Sequence, residues 1–224
     1  MGKRIDAAKK EVDAAKIYST SEGLALAKRT STTKFKGNIE IHLRLGIDPK
    51  KSDQIVRGTV IFPFGTGKVK KIAAFVTSAK EKEAEAAGAA IVGGEDLIKR
   101  IKETGKIDFD IAVAEPAMMP KLGAIAKTLG PKGLMPNPKT GTVTNDIGKV
   151  VKEFSAGRTE FKNDDSGNVH LIIGKAEFPE EQLEANLKTF VNALTATKPA
   201  GLKQEYVLSA SLNATMGPGI KVKI

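Results

Sequence analysis

Few residues in this sequence have types and spacings suited to catalysis. The segment Gly65-Thr66-Gly67-Lys68 matches the end of a phosphate-binding loop, but Phe62 occupies the position of that loop's first glycine. Val69 follows the lysine, where the loop requires the Ser or Thr hydroxyl that holds magnesium. Because two essential positions differ, a glycine-rich hinge explains this segment better than a nucleotide site.

The titratable residues form no recognisable catalytic group. The two histidines, His42 and His170, fall on predicted strands far apart in the sequence, without the spacing of a zinc protease. Exposed strand histidines are the simpler interpretation. The chain has no cysteine, which excludes disulfides, cysteine-bound zinc and thiol catalysis. The sequence therefore predicts that the protein is not an enzyme and has no cofactor or metal site.

The charge balance points to a polyanionic partner. The chain has 36 Lys and Arg against 26 Asp and Glu, a formal net charge of +10. Such a surplus favours binding to phosphates, because lysine and arginine displace condensed counterions; a basic surface that only aids solubility is the alternative. Residues 1–65, with 13 basic and 7 acidic residues, contribute +6 of the net charge. No apolar segment is long enough to cross a bilayer, so we expect a cytoplasmic protein without a membrane partner.

The middle of the chain alternates short apolar runs with helical patterns. Residues 72–76, 89–92 and 111–114 predict fully buried strands. Ser78 and Glu81 predict a capping box at the start of the helix that follows the first of them. Continuous apolar runs separated by amphipathic helices indicate a parallel sheet with helices packed on it.

The two ends of the chain predict a different architecture. Apolar residues alternate from 38 to 45, which leaves one polar face of this strand free to meet a partner. Residues 160–173 predict a hairpin, Pro179 starts a long helix, and residues 206–213 form a closing strand. Strands from both ends with a helix between them predict one α+β domain with the central α/β unit inserted into it.

These patterns set the predicted domain limits. The terminal domain comprises residues 1–65 and 156–224, and the inserted domain comprises residues 66–155. Two glycine-containing hinges, near residues 64–67 and 155–157, would join them, with motion between the domains as the default expectation.

Two segments have residue types suited to nucleic acid. Phe35 lies between Lys34 and Lys36, and such a ring can pack on a ribose or base while the ammonium groups contact phosphates; burial of Phe35 is the alternative. Residues 215–219 form either a loop from which Met216 approaches a partner or a simple turn. The chain has no Trp and two Tyr, so it lacks the stacking aromatics of single-strand binders, and folded RNA is the favoured partner.

Six further segments occur in a familiar order: residues 34–35, 45–49, 56–60, 129–138, 156–158 and 215–218. Together they resemble the bacterial large-subunit ribosomal protein L-one family over essentially the whole chain. The resemblance implies a split β-α-β terminal domain and an inserted α/β doubly wound (Rossmann-like) domain. It also implies a ribosomal protein of the mobile stalk that binds large-subunit ribosomal RNA, aids release of deacylated tRNA from the exit site and represses translation of its own messenger RNA. We expect a monomer away from the ribosome.

The resemblance also identifies candidate RNA-binding residues. In the family, a phenylalanine, a serine and a Thr-Met-Gly run form the central RNA contact, which here match Phe35, Ser209, Thr215, Met216 and Gly217. Charge and predicted strand face add Lys34, Lys36, His42, Arg44 and His170. The alternatives are a nucleotide-dependent enzyme centred on the inserted domain and a general basic assembly factor without a defined RNA site.

Overall fold

A computed structural model of the protein describes residues 2–68, 70–202 and 205–224. The chain forms two compact units, the first made of Met1–Gly67 and Thr159–Ile224 and the second of Lys68–Arg158. The strands are β1 (Asn38–Leu45), β2 (Arg57–Ile61), β3 (Ile72–Phe75), β4 (Ile91–Gly93), β5 (Ile111–Ala114), β6 (Arg158–Lys162), β7 (Asn168–Lys175), β8 (Val207–Ala214) and β9 (Ile220–Val222). The α-helices are α1 (Lys3–Lys10), α2 (Thr20–Arg29), α3 (Glu81–Ala86), α4 (Glu95–Thr104), α5 (Met119–Leu122), α6 (Ala126–Leu129), α7 (Ile147–Ser155) and α8 (Glu180–Ala196).

The first unit is built on a sheet with the strand order β7-β1-β8-β9, in which all neighbours are antiparallel. Because β7 and β8 both run antiparallel to β1, they are parallel to each other, and α8 connects them. This is a split β-α-β arrangement with β1 between the two parallel strands. Strands β2 and β6 pair in a separate two-stranded sheet.

The burial pattern of β1 shows how this sheet is oriented. Ile39, Ile41, Leu43 and Leu45 are buried in a core that also includes the apolar residues of α2 and α8. Burying these side chains supplies most of the driving force for this unit, at roughly 25 cal/mol per Å² of apolar surface. The alternate residues of β1 point to the opposite face of the sheet, as the strand geometry requires.

Local signals explain the two helices that cover the core. Ser19 Oγ accepts a hydrogen bond from the backbone N–H of Glu22, whose carboxylate accepts one from the backbone N–H of Ser19, forming a capping box before α2. Pro179 precedes the first turn of α8, and the buried residues of this helix recur at helical spacing: Leu183, Leu187, Phe190 and Leu194.

The second unit contains a parallel sheet with the strand order β4-β3-β5. All four residues of β3 are buried, and they alternate between two cores. Ala73 and Phe75 pack with α4, α5 and α6, whereas Ile72 and Ala74 pack with α3 and α7. Helices therefore cover both faces of this sheet, which explains why its strands have continuous apolar runs.

The structure corrects two local predictions. Segment 160–173 is not a regular hairpin, because β6 pairs with β2, and an isolated bridge between Asn163 and Val169 is what links it to β7 within the described residues. The side chain and backbone of Asn163 both bond to Val56, which holds β6 against β2. The predicted capping box at Ser78 is also absent: a 3₁₀ turn without a side-chain cap precedes α3.

Candidate nucleic-acid interface

The face of the four-stranded sheet opposite α2 and α8, called the polar face below, aligns polar residues from three strands. Its β1 residues are Glu40, His42 and Arg44. The cross-strand neighbours in register are Ile172 and Asn213 for Glu40, His170 and Ser211 for His42, and Asn168 and Ser209 for Arg44. Four of the candidate residues chosen from the sequence therefore lie on this face: His42, Arg44, His170 and Ser209.

The two histidines lie at the centre of the polar face and contact each other. Their Nδ1 atoms are 2.7 Å apart, so one ring donates the shared proton and the other accepts it. His42 Nε2 lies 2.7 Å from Asn213 Oδ1, and His170 Nε2 lies 3.5 Å from Asp164 Oδ2. The His170 side chain is 54% exposed and that of His42 is 31% exposed, so the pair lies at the surface of the unit.

Asp164 anchors the outer end of this network in the turn before β7. Its carboxylate accepts hydrogen bonds from the backbone N–H groups of Ser166 and Asn168 and from the Asn168 side chain. Burial raises the pKa of Asp164, but the bonds from Asn168, Ser166 and His170 outweigh it and lower the pKa to about 2. The carboxylate therefore stays ionised and holds His170 in place on the polar face.

Phe35 lies in the loop of residues 31–37 between α2 and β1, called the Phe35 loop below. Its side chain is 57% exposed, which excludes the alternative that Phe35 is a core residue. Lys34 and Lys36 are also exposed, and Lys36 forms an ion pair of 3.2 Å with Glu177 at the surface. Such an ion pair contributes little to stability and leaves the ammonium group available to a stronger anion.

The loop of residues 215–219 between β8 and β9, called the Met216 loop below, presents a side chain in a strained conformation. Met216 is 64% exposed and has a φ angle of +63°, which places a non-glycine residue in the left-handed region. The backbone N–H of Gly217 donates to the carbonyl of Ala214 at 2.7 Å, and a Cβ at Gly217 would lie 3.0 Å from that oxygen. The tight turn therefore favours glycine at 217 and holds Met216 outward.

Thr215 ties the Met216 loop to the start of β1. Its hydroxyl accepts a hydrogen bond from the backbone N–H of Asn38 at 3.0 Å and can donate to Glu40 Oε1 at 3.1 Å. The backbone N–H of Thr215 also donates to the carbonyl of Asn38. Thr215 thus fixes the loop to β1, while the Met216 side chain is exposed to solvent.

The Phe35 loop and the Met216 loop lie side by side. A Cβ at Gly37 would lie 3.6 Å from the Cβ of Thr215, and Arg4 bridges the loops by donating to Thr32 Oγ1 and to the carbonyl of Met216. The sequence did not identify Arg4 as a site residue, because α1 was not predicted. The signal that pointed towards it was the positive charge of residues 1–65.

Ser209 and Arg44 lie together at the other end of the polar face. They are cross-strand neighbours, and both are exposed. Five residues of β8 lie between Ser209 and Thr215, which are about 20 Å apart along an extended strand. The structure therefore distributes the predicted contact residues along the whole face, with the two loops at one end and the histidine pair between.

The edge of the second unit's sheet where a nucleotide would bind is occupied by a satisfied carboxylate. Ligands of parallel α/β sheets bind beyond the carboxyl ends of the strands, and Glu115 follows β5 at that edge. Glu115 accepts hydrogen bonds from the backbone and hydroxyl of Thr77 and forms an ion pair of 3.2 Å with Lys80. Burial raises the pKa of Glu115, and these bonds lower it by more. The ion pair leaves the Lys80 ammonium group already neutralised and not free to bind a phosphate, which argues against the enzyme alternative.

Two kinds of feature are absent from the described ranges 2–68, 70–202 and 205–224. No group of three or more His, Cys, Asp or Glu side chains is arranged to hold a metal ion there. Nor does any helix of those ranges have the length and hydropathy to span a bilayer.

Comparison with known proteins decides the family. The model of the ribosomal protein L1p/L10e family matches residues 27–218. The chain belongs to this family. Family membership confirms the resemblance carried by the sequence segments, and the match includes the Phe35 loop, the polar face and Gly217 of the Met216 loop.

Relatives in the ribosomal protein L1p/L10e family resemble this chain along its full length. The protein of Mesoplasma florum is 50% identical over 224 residues, covering 100% of this chain and 98% of the relative. That of Mycoplasma capricolum subsp. capricolum is 51% identical over 223 residues, with the same coverage. That of Thermosipho africanus is 47% identical over 220 residues, covering 98% and 95%. All three are described as large ribosomal subunit protein uL1.

Proposed function

We propose that this protein is a structural component of the large ribosomal subunit in the cytoplasm, where it binds folded large-subunit ribosomal RNA. The observation that carries the proposal is the exposure of Phe35 and Met216 on two adjacent loops at one end of a polar sheet face. The exposed phenylalanine and methionine side chains can pack on a ribose or base, while the neighbouring lysines contact the adjoining phosphates. The relatives' description as large-subunit proteins supports the ribosomal assignment.

The polar face suits folded RNA because it is extended and held in place. Hydrogen bonds from Thr215 fix the Met216 loop to β1, and the histidine pair links β1 to β7 across the face. The hydroxyl, amide and imidazole groups that line it can bond to phosphates and 2′-hydroxyls, which is how proteins recognise RNA helices by shape. Arg44 at one end and Lys34 at the other supply the positive charge for phosphates.

The finer roles rest on family resemblance. We propose that the protein forms the mobile stalk, aids release of deacylated tRNA from the exit site and represses translation of its own messenger RNA. In this proposal the first unit docks on RNA while the glycine-containing segments near 64–67 and 155–157 act as hinges for the second. The partners are then ribosomal RNA, exit-site tRNA and the messenger.

The test compares two exposed phenylalanines of the first unit. Phe35→Ala removes the proposed contact, whereas Phe64→Ala is the matched control, because Phe64 is 48% exposed and its backbone N–H bonds to Asn186 on the helix-covered side. Stacking or packing on one nucleotide contributes about 1–3 kcal/mol, so Phe35→Ala should bind transcribed large-subunit ribosomal RNA roughly 5- to 150-fold more weakly. Filter binding measures both variants. Equal affinity of Phe35→Ala and wild type would contradict the proposal.

A further inference from the structure

A groove of about 740 Å³ lies in the first unit beside β8 and β9, away from the two loops described above. Its lining includes two lysines, one glutamate, two serines and exposed apolar residues, among them Ile17, Glu205, Leu208, Ser209, Lys221 and Lys223. Ser209 is the residue that this groove shares with the proposed interface. The groove therefore continues the polar face beyond its Ser209 end.

Strand register places three of the groove residues, Ile17, Lys221 and Lys223, on the polar face. Ser211 lies opposite Lys221 in the β8–β9 pair, and Tyr18 forms a parallel bridge with Val222, with hydrogen bonds to the backbone of Lys221 and Lys223. Side chains alternate along extended backbone, so the neighbours of the buried Tyr18 and Val222 point to the other side. Ile17, Lys221 and Lys223 thus share the side of Ser211 and His42.

The lining combines an apolar surface with unneutralised positive charge. Ile17 is 65% exposed and Leu208 is 50% exposed. Lys221 and Lys223 are exposed, and within the described residues no carboxylate lies within 4.0 Å of either ammonium group. Among the lining side chains that the structure describes, that of Glu205 is the one carboxylate, against the two ammonium groups of Lys221 and Lys223. An occupant should therefore have a flat, partly apolar group next to an anionic one.

We propose that this groove is a second RNA subsite that takes one unpaired nucleotide of the RNA bound on the polar face. The base or ribose packs on Ile17 and Leu208, and the adjoining phosphates meet Lys221 and Lys223. The subsite rests on the proposed function, because the same RNA must cover the polar face and reach this edge. A nucleotide fits both parts of the lining at once, whereas an apolar peptide leaves both ammonium groups without a counterion.

The first test removes the two lysines together. K221A/K223A should bind transcribed large-subunit ribosomal RNA about tenfold more weakly near 0.15 M salt, and the slope of log affinity against log salt should fall by about 2 in magnitude. The matched control is K188A/K198A, which removes the same charge from α8 and the segment after it, on the side of the unit opposite the polar face. The control should keep the wild-type slope.

The second test separates charge from packing at the same groove. Glu205→Gln should tighten RNA binding a few-fold, because it removes the carboxylate that repels phosphate. Ile17→Ser should weaken binding without changing the salt slope, since it removes packing and no charge. Opposite signs at neighbouring residues distinguish a subsite from a general loss of folding, which circular dichroism checks separately.

The outcomes distinguish the subsite from the proposed function. If wild type shows no preference for large-subunit ribosomal RNA over random duplex RNA, the proposed function is overturned and the subsite with it. If wild type has that preference and K221A/K223A and Ile17→Ser both bind like wild type, the subsite alone is overturned. In that case the groove takes another occupant, such as a protein segment.

Discussion

Substitutions at Met216 should change the stability of the fold and its affinity for RNA in opposite directions. Its φ angle of +63° lies in the left-handed region, which costs a non-glycine residue about 1–2 kcal/mol. Among the described residues with defined side chains, it is the one non-glycine residue with a positive φ. Because the Met216 side chain is exposed and its backbone is strained, it serves contact with a partner better than it serves folding.

The substitution Met216→Gly should raise stability while lowering RNA affinity. Relief of the left-handed strain favours the folded state by about 1–2 kcal/mol, and the greater freedom of glycine in the unfolded chain offsets about 0.5–1 kcal/mol of that gain. The Met216 side chain is 64% exposed, so little apolar burial is lost. The net expectation is about 0.5–1 kcal/mol more stability. RNA affinity should fall at least several-fold, because the protruding side chain is gone.

Urea unfolding and filter binding on the same preparations measure the two effects. Met216→Asn is a useful control, because asparagine tolerates the left-handed region but lacks the apolar methionine surface. It should bind RNA as weakly as the glycine variant, with a stability at or above that of wild type. A glycine variant that is less stable than wild type by 1 kcal/mol, or that binds RNA equally well, would refute the reasoning.

Three further substitutions test structural roles of particular residues in the first unit. Thr215→Val removes the hydroxyl that bonds to Asn38 and should lower the free energy of unfolding by about 1–3 kcal/mol, as measured by urea unfolding. An unchanged midpoint would count against this role. Asp164→Asn should lower the free energy of unfolding by about 1 kcal/mol at pH 7, a loss that solvent screening keeps small because the carboxylate is 39% exposed. Folding lowers the Asp164 pKa from 3.8 to about 2. The difference in stability from wild type should therefore shrink as the pH falls from about 4 to about 2. A pH-independent difference would contradict the linkage. Asn186→Leu should lower the free energy of unfolding by about 2–4 kcal/mol, because the fully buried Asn186 amide donates hydrogen bonds to the carbonyls of Gly65 and Ile173. A loss below about 1 kcal/mol would show that these carbonyls find other partners.

Elements with strong periodicity were predictable from the sequence. The structure has β1 at residues 38–45 as predicted. The buried residues of α4 are Leu97, Ile98 and Ile101, which have helical spacing in the sequence. The apolar runs of the second unit likewise form its parallel strands. In these cases one face of the element is buried by the fold, so the hydrophobic pattern and the structure have the same cause.

The helices before β1 were missed although part of their signal was present. Ser19 and Glu22 have capping-box spacing before α2, and Leu24 and Ala27 of that helix are buried. Leu122, Ile125 and Leu129 have the sequence spacing of one continuous helix, but the segment is split between α5, a 3₁₀ turn and α6, with all three residues buried. Local propensity does not show such breaks, because packing against the sheet decides them.

The arrangement of the candidate site was the least predictable part. The contact between His42 and His170 depends on strand register between segments 128 residues apart, which no local pattern encodes. Phe35 and Met216 were identified by resemblance and residue type, and their exposure required the structure. The bridge from Arg4 to Met216 was out of reach, since it joins the two ends of the chain. Residue types indicated RNA, and the fold was needed to show which residues lie together.

The central claim is that the protein binds folded large-subunit ribosomal RNA specifically, and a competition experiment tests it most directly. Labelled large-subunit ribosomal RNA bound to the full chain at about 0.15 M salt is displaced either by the same unlabelled RNA or by random-sequence duplex RNA. A defined interface on the polar face predicts a preference of at least about 10³-fold for the ribosomal RNA. A preference below tenfold would contradict the claim and leave a general basic RNA binder as the better description.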